Sequence, residues 1–356
     1  MPRKLYLSKT VDAALAERMD WIFDTYATVV VSVSGGKDST VLLDAARKEA
    51  LRRGTNVTAF FLDQEAEYGA TIEHVRHLMG LPGVLPAWYQ VPLRMTNATS
   101  FEEAWLHAWD PGAQWMRAKE PGAIAEAPGA PDRFHAFFEW IEAQCGADTC
   151  FLVGLRAEEA LNRYRAVTKH AAVDGVTWSS RTKGAAVKLY PLYDFTFEDI
   201  WTYLGKFGVP YNRAYDWMWA KGHGIQEMRV SNLIHEQAFH SLSTLQEFEH
   251  DTFEALQRRL AGVHAAALYA GEQSVYQTLV RPKAYRTWRA YRDFLLDTLP
   301  VDVGKFRTRF DRQPEAENVA RSQCRALLLN DHEGNLPIDT TVKDPRASLA
   351  KWMELL

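Results

Sequence analysis

Short β-branched and aromatic runs alternate with longer segments of helical period as far as residue 207. Residues 8–24 place Val11, Leu15, Met19, Ile22 and Phe23 on one helical face, with Ser8 near the start. Val29–Val33 is a short apolar run bounded by a turn signal, which predicts a buried strand. Val41, Leu42, Leu43, Ala45 and Ala46 open a helix that runs to about Arg53 and ends at Gly54. The same reading predicts strands at Asn56–Asp63, Trp88–Leu93, Thr149–Leu155 and Val187–Tyr193. Helices are predicted at Thr71–Met79, around Phe134, Phe137, Phe138 and Ile141, after Arg156, and from the Thr196-x-x-Asp199 cap to about Phe207. Five strands alternating with helices predict an α/β fold with a doubly wound, mostly parallel sheet.

Two segments break the rhythm. Ser100-Phe101-Glu102-Glu103 has the form of a capping box and predicts a short helix. Residues 108–131 are rich in Pro, Gly and Ala and too long for an ordinary connection. Trp105, Trp109 and Trp115 would be costly to expose, so an ordered insertion loop is expected. From Gly224 onward the pattern is helical, with a second capping-box sequence at Thr244-x-x-Glu247 and Leu245, Phe248, Leu256 and Leu260 on one face. The expected domains are 1–223, α/β, and 224–356, helical.

Composition narrows the function classes. The net charge of -4 argues against a chain that binds nucleic acid over its whole surface. A local patch is still open: residues 281–312 carry nine Lys or Arg against four Asp. Trp288, Tyr291 and Leu295 recur there at helical spacing, which fits an amphipathic helix with a solvated basic side or a polyanion- or partner-binding face. No apolar run is long enough to span a bilayer, and the first residues have no apolar signal core, so no membrane association and a cytoplasmic location are expected. Three cysteines, Cys145, Cys150 and Cys324, are too few for an all-cysteine iron–sulfur or zinc site; no cluster and three free thiols are expected.

The chemistry concentrates between the first strand and its helix, at Ser34-Gly35-Gly36-Lys37-Asp38-Ser39. A helix N-terminus presents unpaired N–H groups and partial positive charge. Two glycines let the backbone close on an anion, Lys37 adds a point charge, and Ser34 and Ser39 add hydroxyls. Asp63 ends the second strand and Arg156 follows the fourth, behind Gly154. Parallel strands present these ends on one side, so the loop, Asp63 and Arg156 are expected to face one crevice. Arg156 and Arg163, seven apart, would share a face of a continuous helix, and Glu159 with Arg163 is also an ordinary i,i+4 pair.

The hexapeptide resembles the PP-loop of the ATP pyrophosphatases and lacks the Walker A spacing. Gly154 to Arg163, Tyr190-Pro191-Leu192-Tyr193-Asp194-Phe195 and Glu198-Asp199-Ile200-Trp201 resemble segments of the phosphoadenosine phosphosulfate (PAPS) reductase family within that superfamily. Phe101 to Pro111, Tyr211-Asn212, Tyr215-Asp216, Met228-Arg229-Val230-Ser231 and Pro282 to Pro300 are similar to a subgroup described as co-activators of prophage gene expression. The resemblance implies an adenine nucleotide alpha hydrolase-like fold and a site for ATP or PAPS with Mg²⁺. Ser34, Gly35, Gly36, Lys37 and Ser39 would hold phosphates, and Asp38 would lie beside the loop or the Mg²⁺. Asp63 and Gly154 would lie near the nucleotide, with Arg156 and Arg163 on its phosphates or sulfate. The implied catalytic set is Lys37, Asp38, Arg156 and Arg163. The subgroup implies a phage-related role and a ParB-like partner. Two departures stand out: Ala160 replaces a serine of the family pattern, and Cys324 lacks the Gly and His that flank the reductases' nucleophilic cysteine.

Three activities fit this reading. One is ATP cleavage between the α- and β-phosphates to adenylate an acceptor, a nucleic acid or nucleotide, with a sulfur or amine donor following. The second is a thiol-dependent PAPS or adenylyl-sulfate reductase. The third is a nucleotide-gated regulatory subunit.

Overall fold

The structure is a computed structural model that describes residues 8–168, 173, 175–225, 228–230, 232–235, 242–269, 278 and 280–340. Ser231 of the subgroup-like motif lies outside the described residues. The chain packs as two compact units. One runs to Arg94 and again over His107–Asn232; the other takes in Met95–Leu106 and the chain from Leu233 onward.

The first unit is built on a six-stranded sheet. Its elements are α1 (Val11–Thr25), β1 (Thr28–Ser32), α2 (Lys37–Arg52), β2 (Val57–Leu62), α3 (Gly69–Met79) and β3 (Val84–Tyr89). After β4 (Leu93–Thr96) and β5 (Trp105–Ala108) come α4 (Phe134–Ala143), β6 (Thr149–Val153) and α5 (Leu161–Thr168). Then follow β7 (Ser179–Arg181), β8 (Val187–Leu189), α6 (Phe197–Phe207) and α7 (Ala214–Ala220). The strand order is β3-β2-β1-β6-β8-β7, parallel except for the antiparallel β7–β8 pair, and β4 and β5 form a separate two-stranded sheet. Val29, Val31, Ala59, Phe61, Cys150 and Leu152 line the core, with Leu42, Leu43 and Ala46 of α2 packed on it. β1 sits where the strand order reverses, with β2 on one side and β6 on the other. That is the topological switch point, where open α/β sheets leave a crevice past the strand ends.

The α/β class and the mostly parallel sheet are as the sequence predicts; several details differ. The sheet has six strands rather than five, because the three-residue β7 is too short to show a period. The third strand is Val84–Tyr89 rather than Trp88–Leu93. Ser100 Oγ accepts the Glu102 and Glu103 amides at 3.2 and 3.3 Å, yet β5 follows at once instead of a helix. The helix after Arg156 begins only at Leu161, so Arg156 and Arg163 do not share a helical face. The Thr196 cap is present, with Thr196 and Asp199 bonded reciprocally.

From Leu233 onward the described part of the second unit is helical: α8 (Leu242–Phe248), α9 (His250–Arg259), α10 (Val263–Tyr269), α11 (Trp288–Thr298), α12 (Gly304–Phe310) and α13 (Glu317–Leu328). Thr244 lies inside α8, so it is not an N-cap. Leu295, Leu296, Phe306, Phe310, Cys324 and Leu327 form a core of this unit.

Candidate active site

The glycine loop is shaped from both sides. Gly35 has a φ of +70°, and a Cβ there would sit 2.6 Å from Thr71 Cγ2 of α3. Only glycine takes this conformation and this contact cheaply. Gly36 is the N-cap of α2, and its carbonyl accepts the Thr40 amide at 3.0 Å and the Ser39 and Thr40 hydroxyls at 3.0 and 2.9 Å. Ser39 Oγ also accepts the Ser34 amide at 3.2 Å, closing the loop on itself. Thr40 Oγ1 lies 2.8 Å from His74 Nε2, and burial pushes that imidazole down to about 4, so it is neutral at neutral pH. Gly154 closes the other side: a Cβ there would be 3.1 Å from the Ser39 nitrogen.

Charges gather above this loop. Lys37 is 4% exposed, with Nζ 3.1 Å from Asp38 Oδ2 and over the rings of Phe197 and Tyr215 at 5.4 and 5.1 Å. Burial pushes its pKa down; Asp38 opposes the shift, and Arg156 and Arg229 add to it. The buried Arg156 donates Nε to Asp38 Oδ1 and Nη2 to Glu159 Oε1 at 3.4 Å, with Nη1 3.7 Å from Glu158. Glu158 also accepts the Phe197 amide at the start of α6, at 3.2 Å. Arg163 pairs with Glu159 and is 41% exposed. Lys37, Arg156, Glu158, Glu159, Phe197, Ile225, Met228 and Arg229 line a partly open cavity of about 30 Å³.

The structure therefore brings together Ser34, Gly35, Gly36, Lys37, Asp38, Ser39, Gly154 and Arg156 at the switch point. Arg163 stands behind Glu159. Asp63 has other partners. Its carboxylate is fully buried and accepts from Trp88 Nε1 and Gln90 Nε2, both at 2.9 Å, and from the Glu65 amide at 2.9 Å. Arg117 Nη2 spans both its oxygens at 2.6 Å. Arg117 belongs to the 108–131 loop, and Glu65 accepts the Trp109 and Met116 amides from the same loop. Asp63 and Glu65 thus anchor that loop, which is ordered, with Trp109 fully buried. Beside them Glu67 is buried, and desolvation, then Asp63, raises its carboxyl to about 8.

Sequence reasoning gave no role to Asn212, Tyr215, Phe197 or Arg229. Asn212 Nδ2 donates to the Gly35 carbonyl at 3.0 Å and to Thr71 Oγ1 at 2.9 Å. The Tyr215 hydroxyl accepts the Lys37 amide at 3.2 Å. The signal was the Tyr211-Asn212 and Tyr215-Asp216 motif, which nothing local ties to the loop.

Asp38 lies between two cations, and among the described residues no group of three or more His, Cys, Asp or Glu could hold a metal. The three thiols are free, and desolvation raises the pKa of each, that of buried Cys324 to about 12.

In the second unit, described by itself, the basic stretch is partly neutralised. Arg289 pairs with Glu317, Arg292 with Asp293 and Glu315, Arg307 with Asp297, and Arg309 with Asp331. Lys305, Thr308, Arg309 and Arg312 line one open groove with Asp302 and Gly304.

The sheet, the glycine loop at its switch point and the cations above it define a nucleotide-binding α/β class. Residues 28–221 match the profile of the phosphoadenosine phosphosulfate reductase domain, and the chain belongs to that family. Residues 222–313 match a domain of unknown function (DUF3440). The chain is 28% identical over 317 residues to the uncharacterized protein YbdN of Escherichia coli, covering 83% of this chain and 77% of that one. It is 23% identical to the adenosine 5'-phosphosulfate reductase of Oceanobacillus iheyensis, covering 56% of this chain and 70% of that one. A solved structure of PAPS reductase from Candida auris, with phosphate, aligns at 12% identity and a TM-score of 0.33, covering 65% of this chain and 98% of that one. Among the described residues no helix is long and apolar enough to cross a membrane.

Proposed function

We propose that the chain binds ATP at the switch point and cleaves it between the α- and β-phosphates to adenylate an acceptor. The observation that carries this is the meeting of Lys37, Asp38 and Arg156 over the N-terminus of α2. An acceptor oxygen attacks the α-phosphorus, the bond to the bridging oxygen breaks, and pyrophosphate leaves with the electron pair. Lys37, Arg156 and the first amides of α2 stabilise the charge that develops, and the loop fixes the phosphates in line. Magnesium enters as Mg²⁺-ATP. Arg163 holds Glu159, and Glu159 holds Arg156, so Arg163 acts as a positioning residue.

The rival reading is a PAPS or adenylyl-sulfate reductase, which the names of the relatives support. It requires a thiolate nucleophile. The pKa of every thiol here is raised by burial, which works against it. The groove at Lys305 and Arg312 favours a nucleic acid or nucleotide as acceptor. The subgroup-like motifs support a cytoplasmic, phage-related role with a ParB-like partner. In the regulatory form of this reading, nucleotide binding without turnover gates that partner. Incubation with Mg²⁺-ATP or with PAPS plus thioredoxin separates the cases. Pyrophosphate release supports adenylation, sulfite release supports the reductase, and binding without either supports the regulator.

A further inference from the structure

The group that stands against the first amide of α2 belongs to the chain itself. The Tyr215 hydroxyl accepts the Lys37 amide, the first N–H of α2, at 3.2 Å. A Cβ on Gly36 would lie 3.2 Å from this oxygen, so the hydroxyl sits against the face of the loop that glycine keeps open. Tyr215 is 2% exposed, its ring is held edge-on by Trp201 at 5.7 Å, and the Lys37 ammonium lies 5.1 Å from the ring centre. Burial raises the hydroxyl's pKa, so the oxygen is a neutral acceptor. Helix N-terminal amides are the natural seat of an anion. Here a neutral phenol takes that place beside two cations, Lys37 and Arg156.

We infer that Tyr215 is a residue of the phosphate site that competes with the ligand for the Lys37 amide. A phosphate oxygen takes over that N–H only when the hydroxyl leaves it. Tyr215 then moves off the amide, and α7 with it, beside the cavity wall formed by Met228 and Arg229. The phenol's hydrogen bond is a cost on every phosphate ligand that uses this amide. It also discriminates: a ligand with one phosphoryl group gains less from displacing it than a chain of phosphates that also reaches Lys37 and Arg156. The inference rests on the nucleotide reading of this loop.

The test is titration calorimetry of inorganic pyrophosphate and of α,β-methylene-ATP with the full chain, with Tyr215→Phe and with Lys37→Ala. Tyr215→Phe keeps the ring and its packing and removes the oxygen. Its expected affinity for both ligands is about three- to tenfold higher than that of the unsubstituted chain, the worth of one hydrogen bond. Its ligand-free melting temperature falls while the ligand-induced rise in melting temperature grows, a pair of changes that a purely structural tyrosine would not give. Unchanged or weaker binding by Tyr215→Phe, with the unsubstituted chain binding normally and Lys37→Ala impaired, overturns the competition and leaves the nucleotide site standing. Absence of binding by the unsubstituted chain and by Tyr215→Phe alike removes the nucleotide reading and the inference with it.

Discussion

Arg156 reaches from the turn after β6 to the carboxylate of Asp38 in the first turn of α2. One ion pair thus joins the two loops that flank the switch point. It sets the guanidinium beside Lys37, where like charges would otherwise repel.

Replacing Asp38 by Asn removes the one carboxylate shared by Lys37 and Arg156. Arg156 keeps Glu159 at 3.4 Å, so the cost stays below that of a fully orphaned buried charge. The expected loss is roughly 1–3 kcal/mol, seen as a lower urea midpoint at unchanged m-value. An unchanged midpoint would show that the pair is idle. Arg156→Lys should lower nucleotide affinity although charge is kept, because an ammonium cannot span Asp38 and Glu159 as the planar fork does.

Glu67 gives the fold a pH dependence of its own. Its carboxyl, ordinarily near 4.5, is pushed up to about 8 in the folded chain by desolvation and by Asp63. Between those values the folded state holds the extra proton, so stability is full below 4.5 and declines as pH rises toward 8. Glu67→Gln should flatten that decline, gaining on the order of 1–3 kcal/mol at pH 8. Urea unfolding from pH 5 to pH 8 checks it; an equal slope in both proteins would place the titration elsewhere.

The loop at 108–131 depends on the Arg117–Asp63 pair. Arg117→Met keeps the aliphatic stem and leaves a buried carboxylate short of its cation. The expected cost is roughly 2–4 kcal/mol, with much faster proteolytic cleavage between residues 110 and 130. Resistance equal to that of the parent chain would mean that the loop's other contacts, Glu65 with the Trp109 and Met116 amides, Arg76 with Glu120 and Trp88 with Ile124, hold it without the pair.

Much of this site is legible in the sequence because it is local. Gly35, Gly36 and Lys37 stand between a strand and a helix, and Arg156 ends another strand, so topology alone aligns them. What the sequence hides comes from far away. Tyr215 reaches Lys37 across 178 positions and Asn212 reaches Gly35 across 177. Asp63 is legible from its place at a strand end, but its partner Arg117, 54 residues on, is not. Ser100 makes its predicted capping contacts without a helix, because the strand beginning at Trp105 follows at once.

Cysteine chemistry is open to direct test. With burial raising the Cys324 thiol to about 12, the group is protonated at neutral pH and should react slowly with Ellman's reagent until the chain unfolds. Replacing Cys145, Cys150 and Cys324 by Ser or Ala should leave nucleotide binding and pyrophosphate release intact. Loss of turnover in a folded Cys324→Ser protein would restore the reductase reading.

The groove on α12 should act separately from the loop. Reversing Lys305 and Arg312 to Glu should weaken binding of single-stranded RNA or DNA and lower its salt dependence, with nucleotide affinity unchanged. Equal retention of nucleic acid by both proteins would exclude the groove as the acceptor's seat.

The central claim is that ATP held at the switch point by Lys37 and the α2 N-terminus is cleaved between its α- and β-phosphates. Pyrophosphate release from Mg²⁺-ATP, followed in the parent chain and in Lys37→Ala, tests it most directly. The expected result is release stoichiometric with modification of an added acceptor, lowered at least about tenfold by Lys37→Ala through lost charge stabilisation. Release at equal rates from both proteins, or from neither, would contradict it.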